Sequence, residues 1–233
     1  MKEIRFAFKQ TVPILLTYLF IGMAYGILME KAGYLPIWSF FSALFIFAGS
    51  MQIVMIPLMQ TDTPLISLAI MTLFINARHL FYGIGFIEKF RKMGWKYPYM
   101  VLTLTDETYS VLCSVTYEDE LDEEKAMFFI ALLNHCYWIG GCTLGGIAGQ
   151  LLYWDMTGID FSATAFFTVV VVNHWRQYPS KIPIIAGAIS SILFYILLGS
   201  DHFLIPSLSV SLITLVVLKD RVITKTGGAF HVN

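Results

Sequence analysis

The sequence predicts an all-α polytopic membrane protein. Three observations carry that prediction. The chain has 233 residues, of which 57% are hydrophobic and only 13% charged, where soluble domains carry about 25% charged residues. Its mean hydropathy is +0.70. Its apolar residues also gather into long runs joined by short loops, and these runs are about twice the length a tilted membrane strand needs. A barrel is thereby disfavoured, and a net charge of −1 offers no basic surface for nucleic acid.

Eight apolar segments are read: Thr11–Met29, Ile37–Met59, Pro64–Ile87, Tyr99–Tyr117, Met127–Trp154, Phe161–Trp175, Ile182–Gly199 and His202–Leu218. The basic N-terminus "MKEIRFAFKQ" leads straight into the first and reads as a retained anchor. Eight full spans would leave Lys89, Arg91, Lys92 and Lys96 outside, against the positive-inside tendency. The charges sort better if segments 37–59 and 161–175 are re-entrant. Both termini, the third loop, and Arg176 with Lys181 then lie in the cytoplasm, leaving only Lys31 and Lys125 outside. About six transmembrane helices plus two re-entrant or broken segments result. Residues 11–117 and 127–218 become inverted halves of a single transport domain, a plan common in secondary transporters. Gly22-x-x-x-Gly26 and Gly141-x-x-x-Gly145-x-x-x-Gly149 are weak echoes of that repeat.

Segment two carries its own signal. "FAGSMQ" (Phe47 to Gln52) sets a Gly-Ser pair between apolar halves, closed by Pro57. A break there frees backbone groups that are tolerated only against protein or a cavity. The second half-helix is expected to start near Gly49–Ser50, with its positive dipole end toward that cavity. The alternative is a plain helix with Gly49 at a packing contact. Segment six has no such break.

The third segment holds "INARHLFYG", with Asn76, Arg78 and His79 inside an apolar run. A charge at that depth costs several kcal/mol, on the order of 2.5–3.5 on insertion scales. Arg78 therefore needs a partner or a watery cavity. "TLTDETYS" on the next segment supplies Asp106 and Glu107. Successive helical side chains diverge by about 100°, so one acid can pair with Arg78 while the other faces a path. Read as a continuous helix, Thr103, Asp106, Glu107, Ser110 and Ser114 form one polar stripe. An ion pair that only locks two helices is the bland alternative. His79, Asp106 and Glu107 are the candidates for proton handling; for a buried histidine, a plain hydrogen bond is an equal reading. Asn134 with His135, and Asn173 with His174, are the other polar pairs. The acidic run Glu118 to Lys125 reads as a solvated loop. Cys113, Cys136 and Cys142 show no metal-ligand spacing and read as small packing residues. No metal site and no cofactor are expected.

The stretches "FAGSMQ", "NARHLFYG", "LTDETY", "WIGGCTLGGIAG" and "GIDFSATAFF" together resemble the AzlC family of branched-chain amino acid exporters, the large subunit of the LIV-E type. The resemblance implies export of hydrophobic amino acids across the bacterial plasma (inner) membrane with a small AzlD-type membrane subunit. The residues add a mechanism. Gly49, Ser50, Gln52, Asn76, Arg78, Asp106 and Glu107 are the substrate-binding candidates: a cation or half-helix start for the carboxylate, an acid for the ammonium. Proton exchange is the expected coupling. Two other classes are open. A channel with six spans and two re-entrant segments fits the count, although the Asn-Pro-Ala tips of water channels are missing. An intramembrane enzyme using Ser50 with His79 or His135 lacks any supporting motif, so no catalytic residue is assigned.

Overall fold

The computed structural model describes residues 2–61, 63–117, 121–151, 161–177, 180–199 and 203–218. The side chains of Arg78, Asn173 and His174, the acidic residues 118–120, residues 152–160 of the second glycine turn and the basic C-terminal tail lie outside the described residues.

Ten α-helices are described: α1 Lys2–Lys31, α2 Pro36–Phe45, α3 Gly49–Met59, α4 Leu65–Lys92, α5 Tyr97–Leu102, α6 Asp106–Ser114, α7 Glu123–Leu151, α8 Phe161–Gln177, α9 Ile182–Leu198 and α10 Leu204–Val217. Two of them, α1 and α7, are individually long and apolar enough to cross a membrane, and α4 is a third if its two arms, bent between Ala77 and Tyr82, count as one. Thirty residues of α1 extend about 45 Å, beyond a hydrocarbon core of about 30 Å.

The chain divides into two compact units. One joins residues 1–62 with 75–162; the other joins 63–74 with 163–233. In the second, α9 and α10 pack together as neighbouring apolar helices.

The first unit is organised by α1 against α7, and glycine makes that contact possible. A Cβ on Gly26 would run into the Cys142 carbonyl, and one on Gly145 into the Met23 carbonyl; on Gly22 it would lie 3.0 Å from the Cys142 nitrogen. Small residues let helix backbones approach this closely. The two glycine motifs therefore have a direct reason to resemble each other: they pack face to face. Their register also fixes direction. Tyr18 lies by Gly141, Met23 by Gly145 and Glu30 by Gly149, so α1 and α7 run parallel. The opposite orientation expected for segment five is thus corrected.

Segment four is corrected too. It is not one helix but α5 and α6, separated at Thr103–Thr105. Its course follows from its contacts. Tyr99 packs on Phe128, Thr105 meets Tyr18 at mid-length of α1, and Tyr117 beyond α6 returns to Phe6. The segment enters and leaves at one end of the α1–α7 pair. Lys89 and Glu123, 2.7 Å apart, and Lys96 over the Phe128 ring mark that same end. Charge counting had placed Lys125 on the face opposite Lys96. Asp122 there caps α7 by accepting from Lys125 N–H at 3.1 Å, and its hydrogen bonds from Lys125 hold its carboxyl below the usual range.

Segment two breaks where the sequence predicts. α2 stops at Phe45 and α3 starts at Gly49. α2 comes from the other end, with Pro36 against Gly146 and Ala43 beside His135. Two interrupted segments thus reach the middle of the α1–α7 pair from opposite ends. Segment six forms α8 without a break. Cys142 is buried in the α1 contact as a packing residue, but Cys113 and Cys136 are exposed.

Candidate functional site

Each interruption places a helix start at the level of Tyr18 and Trp138. In the first, Phe47 has φ of +42°, a left-handed conformation costing a non-glycine residue roughly 1–3 kcal/mol. Packing holds it there: the ring stacks on His135 at 4.5 Å and meets Tyr18 edge-on at 6.1 Å. Gln52, fully buried, repairs the broken ladder. Its Oε1 accepts from Ala48 N–H at 3.2 Å and from Trp138 Nε1 at 3.0 Å, while Nε2 donates to Ser42 Oγ at 3.4 Å. The Ser42 hydroxyl lies 2.8 Å from Tyr25 OH. The Gln52 amide thereby holds the break together. Gly49 is small for cause: a Cβ would sit 3.1 Å from the Trp138 ring.

His135 serves the end of α2. Its Nε2 is 3.3 Å from the Ala43 carbonyl and its Nδ1 is 3.0 Å from Tyr99 OH. The carbonyl only accepts, so Nε2 carries the proton and Nδ1 accepts from the phenol. The plain reading of this histidine, a bond to backbone, is the one the structure takes.

In the second interruption Thr105 is the N-cap of α6, its Oγ1 accepting from Thr108 N–H at 3.3 Å. Asp106 and Glu107 therefore occupy the first turn, where the helix dipole favours negative charge. They diverge as helical spacing requires. Glu107 Oε2 accepts from Tyr18 OH at 2.7 Å. Asp106 Oδ1 lies 3.9 Å from His79 Nε2, with both side chains about one-third exposed, at 35% and 27%. His79 in turn lies beside Tyr82, which stacks on Tyr109 at 4.4 Å. The expected continuous stripe from Thr103 to Ser114 is replaced by a helix start.

Of the predicted site residues, Gly49, Ser50 and Gln52 fall at one interruption and Asp106 and Glu107 at the other, with His79 brought to Asp106. Asn76 is half-buried, and its Oδ1 lacks a hydrogen-bond partner among the described residues. Whether Arg78 meets an acid falls outside the described side chains. The sequence reading missed Tyr18, Trp138, Thr105 and Thr108. Thr105-Asp106-Glu107-Thr108 did carry a signal: a capping threonine followed by acids announces a helix start inside an apolar run. Among the described residues no three His, Cys, Asp or Glu side chains cluster as metal ligands.

Long apolar helices packed through glycine, with two interrupted segments meeting at their middle, define a helical membrane protein. The chain belongs to the AzlC family: residues 13–152 match the family model described as AzlC protein. It is 36% identical over 215 residues to the branched-chain amino acid transport protein AzlC of Bacillus subtilis, covering 92% of this chain and 85% of that one. It is 34% identical over 202 residues to a membrane protein of Haemophilus influenzae, covering 86% and 83%. It is 25% identical over 150 residues to the inner membrane protein YgaZ of Escherichia coli, covering 61% and 59%. No solved structure matches the chain.

Proposed function

We propose that this protein is a secondary transporter that exports branched-chain and other hydrophobic amino acids across the bacterial inner membrane, with proton coupling and a small AzlD-type subunit as partner. The observation that carries the proposal is the convergence of two helix starts, Gly49 and Asp106, on one level of the α1–α7 pair. Transporters use such discontinuous helices to bind substrate, with half-helix N-termini turned to anionic groups. The kinship with the B. subtilis branched-chain amino acid transport protein supports the substrate class.

The residues divide the zwitterion between them. Gly49 and Ser50, in the first turn of α3, take the carboxylate with Arg78 as the cation. Asp106, partly exposed beside His79, takes the ammonium. Asn76 is the remaining polar contact, and Gln52 supports the site by holding the break. Both termini are cytoplasmic in this proposal.

Vesicles carrying the protein with a small co-expressed partner subunit, preloaded with labelled leucine, test the reading. Leucine efflux should exceed that of empty vesicles, saturate with leucine and need the partner. Linear, non-saturating flux would replace the carrier with a channel, and no efflux at all would reject transport.

A further inference from the structure

A chain of five polar side chains runs through the centre of the first unit. Glu107 Oε2 is 2.7 Å from Tyr18 OH, and Tyr18 OH is 2.9 Å from Thr105 Oγ1. Thr105 Oγ1 donates to Thr108 Oγ1 at 3.2 Å, and Thr108 Oγ1 also accepts from Asn134 Nδ2 at 3.1 Å. Asn134, Thr105, Thr108 and Tyr18 are all buried. The other end of the chain is Asn134 Oδ1, a buried acceptor with no hydrogen-bond partner among the described residues.

Each hydroxyl has one proton to give, and that fixes the order. If Glu107 is ionised, Tyr18 must donate to it. Thr105 then donates to Tyr18, Thr108 to Thr105, and the Asn134 amide to Thr108. Every bond points at the carboxylate. If Glu107 is protonated, it donates to Tyr18, and the whole series turns round. Thr108 then needs an acceptor beyond it, and a half-turn of the Asn134 amide supplies Oδ1. As observed, Tyr18 donates to Glu107 and Asn134 Nδ2 to Thr108, as in the ionised arrangement, while Thr105 donates to Thr108, as in the protonated one; the orphaned Asn134 Oδ1 is the acceptor the protonated arrangement uses.

We infer that Glu107 is the proton-binding group of this protein and that Tyr18, Thr105, Thr108 and Asn134 form a reversible hydrogen-bonded chain matched to both of its protonation states. One proton is gained or lost at the Glu107 carboxylate; the hydroxyls and the amide only rotate, and no other covalent bond changes. Asp106 is left to the substrate. This deepens the transport reading and rests on it for its meaning, since a transporter coupled to protons must hold its central acid stably in both states. Other titratable groups around Glu107 are Asp106, turned to His79 of α4, and on α7 His135, committed to Tyr99 and the Ala43 carbonyl. Arg78 is on α4 as well. Tyr18 also touches Phe47, so the chain reaches the other helix break.

pH-difference infrared spectroscopy on the purified protein in lipid reads the carboxyl directly. A protonated-carboxyl band should grow as pH falls, vanish in Glu107→Gln and remain in Asp106→Asn. Tyr18→Phe removes a donor to the charged form and should move the midpoint up by about one pH unit. Thr108→Val, nearly isosteric and two hydroxyls away from Glu107, should move it in the same direction by less. A role confined to packing predicts no movement in Thr108→Val. A band that persists in Glu107→Gln, or a midpoint unmoved by both Tyr18→Phe and Thr108→Val, overturns the inference. Leucine counterflow separates it from the transport reading. A parent protein without counterflow rejects transport and leaves the band result standing, while counterflow by a parent whose band persists in Glu107→Gln overturns this inference and leaves transport standing.

Discussion

Trp138 donates its indole N–H to Gln52 Oε1 at 3.0 Å, and that bond ties the longest-packed helix pair to the start of α3. The same oxygen accepts from Ala48 N–H, at the point where the backbone ladder of segment two is interrupted. One buried glutamine thus serves a backbone group and a neighbouring helix together. Removing either partner is not symmetrical. Trp138→Phe leaves Oε1 with the Ala48 bond and should cost about 1 kcal/mol plus lost packing. Gln52→Leu orphans the indole and the Ala48 amide and should cost more, about 1–3 kcal/mol for each buried group. Thermal unfolding in detergent, with the double variant to read the coupling, checks the order. Equal losses would mean that Gln52 does not support the break.

The α1–α7 contact predicts a position-specific intolerance. Gly26 and Gly145 have backbone atoms where a Cβ would go, whereas a Cβ on Gly187 of α9 meets nothing within 4 Å. Gly26→Leu and Gly145→Leu should abolish accumulation of folded protein. Gly187→Ala should be neutral or slightly stabilising, since glycine costs about 1 kcal/mol relative to alanine inside a helix. Fluorescence-detected gel filtration of tagged variants measures both. Normal accumulation of Gly26→Leu would contradict the close parallel packing.

Sequence reading reached some of this and not the rest for physical reasons. The break at Gly49 was legible because a Gly-Ser pair at the centre of an apolar run weakens a helix there. The break at Thr105 was hidden because its polar residues also fit the 3.6-residue period, so an intact amphipathic helix explained them equally well. The capping signature was outweighed by that period. Tyr18 and Trp138 were invisible because aromatic residues in an apolar segment read as core until their polar tips are seen to have partners. Direction was hidden because charge counting weighs loops, and segment four, entering and leaving at one end of the α1–α7 pair, brings the loops at 89–96 and 121–125 to that end.

Arg78 separates a binding role from a locking role. In the transport reading it faces the substrate carboxylate with α3's first turn. Arg78→Ala should then insert normally and lose leucine efflux at least tenfold, with Arg78→Lys retaining part, because a lysine keeps the charge without the bidentate geometry. Surface expression and vesicle efflux are measured together. Full efflux by Arg78→Ala would remove it from the mechanism.

The course of segment four gives the most direct structural prediction. α5 and α6 enter and leave beside Phe128 and Phe6, so Lys96 and Asp122 lie at one end of the α1–α7 pair, while Lys31 ends α1 at the other. In a background with Cys113, Cys136 and Cys142 replaced, Lys96→Cys and Asp122→Cys should react with an impermeant maleimide from the same side of the membrane. Lys31→Cys should react only from the opposite side. A spanning segment four would instead put Lys96 and Asp122 on different sides. The two courses also differ in what they do to Glu107. A span would carry its acid through the bilayer on an unbroken helix, where no N-terminus offsets the charge. The returning segment starts α6 at Thr105, so the cap and dipole hold the carboxylate at mid-depth. Labelling of Lys96→Cys and Asp122→Cys from opposite sides would remove both the re-entrant course and the capped acid that depends on it.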